Sequence, residues 1–127
     1  MVVGSGGPDT VLSEEKVIEI IESGIPMKLY AGKRVLALTP DATRTCPLPM
    51  MVRAVNAIIG ARSAQLDFMV ALGTHTPLSG EEILHLYGIS DFQRSREFAK
   101  SHFLNHRWDR PETLQPVSYT HLTLPTI

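Results

Sequence analysis

Two rhythms of apolar residues run along this chain, one of helical period and one of short unbroken runs. Val17, Ile20 and Ile21 share one face behind Ser13, a good N-cap. Glu14 and Glu15 occupy the first turn, where the helix dipole favours acids, and Gly24 is a stop. Val35-Leu36-Ala37-Leu38 is then continuous, which predicts a strand buried on both faces of a parallel sheet, ended by Pro40. Pro49 opens a second helix whose buried stripe is Val52, Val55, Ile58 and Ile59, with Gly60 at the C-cap position. Phe68-Met69-Val70-Ala71-Leu72 is a second buried-strand signature and runs directly into Gly73-Thr74-His75. Ser79 and Glu82 have capping-box spacing for a short helix that closes at Gly88. One or two helical turns fit within 90–100, and Phe103-Leu104 is weakly strand-like before Asn105-His106.

Helix, strand, helix, strand, helix is the order of an α/β layer: a partial fold with a parallel sheet and right-handed crossover helices. The chain of 127 residues is enough for one such core and too short for two. Residues 1–115 are read as this one domain, and residues 116–127 as a non-native tail. Within that tail, Val117 to Thr126 breaks the helix-strand pattern and resembles the in-frame translation of a transposon adapter end, so His121 is set aside with it; the alternative is a genuine C-terminal strand.

Charge and composition narrow the partners. Lysine and arginine number 12 against 13 acids, a formal net charge of −1, with no dense basic run, so neither nucleic acid nor an anionic membrane is expected. The apolar runs are strand-sized, well below the ~20 residues of a membrane helix. The N-terminus has no basic leader or apolar stretch of a signal peptide, and Cys46 is the one cysteine. Together these predict a cytoplasmic chain without disulfides.

Ligands of doubly wound sheets gather at the carboxyl ends of strands. Asp41-Ala42-Thr43-Arg44 follows the first strand and Gly73-Thr74-His75 the second, so parallel pairing would bring a carboxylate, a guanidinium and an imidazole around one crevice. Arg44 can bind a small carboxylate through two charged hydrogen bonds. Asp41 can accept from a substrate hydroxyl or hold Arg44 in place. His75 has the side chain suited to proton transfer near neutrality. The same residues also make an ordinary loop salt bridge and a hydrogen-bonded loop histidine. His85 reads as a surface or interface residue, His102 as structural and Cys46 as loop filler. No pair of histidines or acids has metal-site spacing, so no metal site is expected within the chain. Gly4-Ser5-Gly6-Gly7 lacks the strand and spacing of a phosphate loop.

The stretches VLALTPDATRTCP (35–47) and VALGTHTPLSGEEI (70–83), followed by NHRWD (105–109), resemble the N-terminal domain of the lactate racemase family. The resemblance covers roughly residues 10–115 and rests on two motifs in order, each after a strand. It implies a nickel-pincer nucleotide tethered to a lysine, and racemisation of a 2-hydroxy acid by hydride transfer to the cofactor and back. It further implies His75 as one of two acid/base histidines, Arg44 as the carboxylate-binding arginine and Asp41 as its companion in the substrate pocket. Thr43, Thr74 and His106 are expected at the pocket. The second histidine, the cofactor lysine and the nickel-ligand histidine are expected beyond this chain, in the missing remainder of the same polypeptide. The chain alone is therefore expected to be inactive. Ala42 and Thr76 stand where the lactate enzyme has larger polar residues, which leaves related hydroxy acids open beside lactate.

Two rivals use the same crevice. One is a non-enzymatic α/β domain binding a small anion there. The other is a hydrolase or phosphatase with Asp41 as nucleophile, which calls for a second nearby acid that the loop does not supply.

Overall fold

The structure is a computed structural model that describes residues 2–113, so the stretch Val117–Thr126 lies outside the described residues. Helix α1 spans Glu14–Gly24, and the Ser13 side chain caps it by accepting from the Lys16 amide. Strand β1 is Arg34–Thr39. Helix α2, Leu48–Val55, continues through a wider π-helical turn, Asn56–Gly60, into strand β2, Gln65–Val70. Helices α3 (Gly80–Tyr87) and α4 (Asp91–Arg96) each begin with a complete capping box, Ser79–Glu82 and Ser90–Gln93. Strand β3, Phe103–Asn105, completes a parallel sheet of order β1-β2-β3. The fold is α/β, as the sequence pattern predicts.

Among the described residues the sheet has one covered face. Val35 and Ala37 of β1, Leu66, Phe68 and Val70 of β2 and Phe103 of β3 pack against Ile18 and Ile21 of α1, Val52 of α2 and Ile83 of α3. Phe68 is the centre: its ring stacks on Phe103 at 5.8 Å and meets Tyr87 and Phe98 at 5.8 and 6.2 Å. Arg94 lies over the Phe103 ring at 4.9 Å and closes this cluster from the side. On the other face Leu36 is 49% exposed, Leu38 67%, and Leu104 is exposed as well.

That corrects the expectation of strands buried on both faces. Two successive right-handed crossovers that add strands in the order 1-2-3 carry their helices to the same side. The apolar run in β1 marks a strand able to be covered twice, and the described residues cover it once.

Helix α1 ends at Gly24 as expected, though without a left-handed turn there. Gly60 does not adopt the left-handed conformation expected of a C-cap; Gly88 does, at φ +65°, closing α3. At Gly60 a Cβ would come within 2.8 Å of the Asn56 side-chain oxygen, so that side chain would have to shift to admit one. Among the described residues no helix is long and apolar enough to cross a membrane.

Candidate active site

Parallel pairing brings both signature loops out at one edge of the sheet. Thr39 is in register with Val70, and the Ala71 amide donates to the Thr39 carbonyl at 2.8 Å, so β1 and β2 end together. The edge is braced from below: the hydroxyls of Thr39 and Tyr87, both buried, are hydrogen-bonded at 2.8 Å. Asp41 follows β1 by two residues. Gly73, at φ +62°, turns the chain after β2 through a conformation that costs other residues about 1 kcal/mol or more. The His75 amide then donates to the Leu72 carbonyl at 3.0 Å.

Asp41 is 7% exposed and uses both carboxylate oxygens. Oδ1 accepts from the Thr43 hydroxyl at 2.5 Å and from the Thr43 amide at 3.1 Å. Oδ2 lies 2.5 Å from Nδ1 of His75. The Thr43 hydroxyl and then the His75 ring outweigh the opposing cost of burial, and hold the Asp41 carboxyl down at about 2. Asp41 is therefore ionised at neutral pH and can only accept. The proton between the pair belongs to His75 Nδ1, so a neutral imidazole there presents a bare Nε2. The His75 side chain is 55% exposed, with Asp41 as its side-chain partner.

Arg44 does not pair with Asp41 through its guanidinium; only its backbone amide reaches the Asp41 carbonyl, at 3.3 Å. Among the described residues no carboxylate neutralises Arg44. It lines two adjoining cavities. One, of about 270 Å³, is walled by Asp41, Thr43, Arg44, Thr74 and His75 with Leu72 at its back. The other, of about 760 Å³, runs from Arg44 between Pro49 and the α3 residues Glu81, His85 and Leu86.

The structure thus brings Asp41, Thr43, Arg44, Thr74 and His75 together and leaves His106 out. His106 is exposed and lines neither cavity; its amide extends the sheet by donating to the Val70 carbonyl at 3.0 Å. Sequence reasoning missed Trp108, whose indole N–H donates to the His75 carbonyl at 2.8 Å, and Asn105, whose amide bonds both polar backbone atoms of Leu78. Their signal was position, at the end of the third strand and three residues beyond it, on the same edge. His85, read as a surface or interface residue, and Cys46, read as loop filler, both face the larger cavity. His102, read as structural, pairs with Asp67 at 3.1 Å, away from the crevice.

The cofactor implied by the resemblance finds no anchor among these residues. No lysine lines either cavity, and no cluster of three or more metal-ligating side chains exists among the described residues. What the crevice offers by itself is an anion-binding cation beside an oriented imidazole.

No curated protein matches the chain. A crystal structure of a Thermotoga maritima protein, a structural-genomics target, is similar at 26% identity with a TM-score of 0.60. The alignment covers 80% of this chain and 23% of that one, so the chain spans under a quarter of that protein's length. The family model of the lactate racemase N-terminal domain matches residues 12–126. With its two strand-borne motifs meeting at one crevice, the chain belongs to the lactate racemase N-terminal domain family.

Proposed function

We propose that this domain supplies the substrate-carboxylate site and one acid/base histidine of a nickel-pincer-nucleotide-dependent 2-hydroxyacid racemase, completed by further polypeptide. The observation that carries the reading is the Asp41–His75 pair beside Arg44, which no carboxylate among the described residues neutralises, in one crevice. Arg44 binds the substrate carboxylate through parallel charged hydrogen bonds and fixes which atoms face His75. Asp41, held ionised, keeps the proton on Nδ1. His75 Nε2 then accepts the proton of the substrate's 2-hydroxyl in one direction of the reaction and donates it in the other, while the acceptor for the C2 hydride would be supplied by the nickel-pincer nucleotide held outside these residues. Asp41 acts through His75, since its own oxygens are occupied by Thr43 and His75. No step through the cofactor is assigned to these residues, which do not anchor it.

The test uses the longer polypeptide containing this domain, produced together with cofactor-making enzymes. Loss of optical rotation is followed for lactate and for larger 2-hydroxy acids. Racemisation that His75→Ala abolishes is the expected result. A metal-loaded protein that racemises none of them would overturn the proposal, and activity surviving His75→Ala would remove the role given to His75. Binding of small carboxylates without any racemisation would favour an anion-binding domain instead.

A further inference from the structure

The loop carrying His75 has no regular structure between Leu72 and Ser79, yet it is tied at two points to the chain that leaves β3. Asn105, the last residue of β3, meets Leu78 with both halves of its amide. Its nitrogen donates to the Leu78 carbonyl at 2.7 Å and its oxygen accepts from the Leu78 amide at 3.0 Å. Three residues on, the Trp108 indole donates to the carbonyl of His75 itself at 2.8 Å.

The segment making these bonds is firmly placed. Asn105 is in register with Val70, the His106 amide donates to the Val70 carbonyl at 3.0 Å, and the Trp108 amide donates to the His106 carbonyl at 3.0 Å. One end of the His75–Leu78 stretch is thereby referenced to the sheet through Trp108 and the other through Asn105. The imidazole has a single side-chain anchor, Asp41, and over half of it is exposed. A backbone free to drift by an ångström would carry the ring away from Asp41, and a displacement of that size at a reacting group costs about a hundredfold in rate.

We propose that Asn105 and Trp108 are positioning residues for His75, a two-point clamp that sets where its imidazole sits against Asp41. The clamp rests on the reading of His75 as the acid/base histidine. Trp108 is 38% exposed and contributes to this clamp mainly a donor rather than core packing, while His106 between them contributes its backbone alone.

The experiment substitutes Trp108→Phe, which keeps an aromatic ring and removes the N–H, and Asn105→Asp, which keeps the acceptor for the Leu78 amide and removes the donor. In this chain the carboxyl carbons of Asp41 and Asp67 are followed by NMR against pH. A loosened His75 withdraws a hydrogen bond from Asp41, so its midpoint is expected to rise by about half a unit in each variant. Asp67, hydrogen-bonded to Gln65 and His102, stays where it is. In the longer polypeptide kcat is expected to fall about tenfold or more with KM little changed, because Arg44 is not held by the clamp. An unmoved Asp41 midpoint in both folded variants would overturn the proposal. A moved midpoint in a polypeptide that never racemises would leave the clamp standing and remove the racemase reading instead.

Discussion

Replacing Thr43 with valine removes one hydroxyl from the site and almost nothing else. Thr43 is exposed, valine keeps its branched shape, and its backbone amide still reaches Asp41 Oδ1 at 3.1 Å. What disappears is the 2.5 Å hydroxyl bond, the largest single influence lowering the Asp41 carboxyl from 3.8 to about 2. That whole depression corresponds to about 2–3 kcal/mol of folding stability, at about 1.4 kcal/mol for each unit. Losing its largest contributor should move the carboxyl back up toward its ordinary value and cost on the order of 1 kcal/mol.

The sign follows from linkage. A carboxyl depressed in the folded state stabilises fully above its unfolded value near 3.8, and that stabilisation disappears as pH falls through about 2. Urea unfolding should therefore show Thr43→Val less stable by about 1 kcal/mol at about pH 6, with the gap closing between about pH 4 and pH 2. Other carboxylates titrate in the same window, but they do so in both proteins and cancel in the difference. A gap of the same size at both ends of the range would refute the electrostatic account and make the hydroxyl a packing group. An Asp41 carboxyl titrating near 3.8 in the unsubstituted chain would refute it more directly.

Two further expectations concern the frame that holds the site. Gly88→Ala places a side chain at φ +65° with its Cβ 3.0 Å from Pro49, so it should lower stability by about 2 kcal/mol in urea unfolding. Gly80→Ala, in open space at the start of the same helix, should be close to neutral, and equal losses would contradict the argument. On the sheet, Leu38→Lys should change stability by no more than about 0.5 kcal/mol, whereas Phe68→Ala should cost about 3–5 kcal/mol. A large loss for Leu38→Lys in this chain would mean that the outer face is covered after all.

Features governed by near neighbours were legible in the residues. The caps at Ser13 and Ser79, the stop at Gly88 and the apolar stripe of α2 each depend on groups a few residues apart. The parallel pairing of β1 and β2 was legible too, because a strand-helix-strand order of this length leaves little choice. So was the meeting of Asp41, Arg44 and His75 at one edge, which follows from that pairing. The partnerships among them were not. Asp41 could have held Arg44, three residues away, and instead holds His75, 34 residues away. Both are favourable pairings of a carboxylate with a cation or donor, and only the directions in which the two loops leave the sheet choose between them.

Sequence by itself thus determined the α/β class, the turn chemistry and the set of groups brought to the crevice, since period, caps and motif order are local properties. Only the packed fold decided that, among the described residues, the sheet is covered on one face and Arg44 has no counter-ion, and that Trp108 holds the carbonyl of His75. Each of these depends on which of several equally acceptable partners lies within 3 Å or so. That distance is set by strand register and crossover direction, which no short stretch of residues specifies.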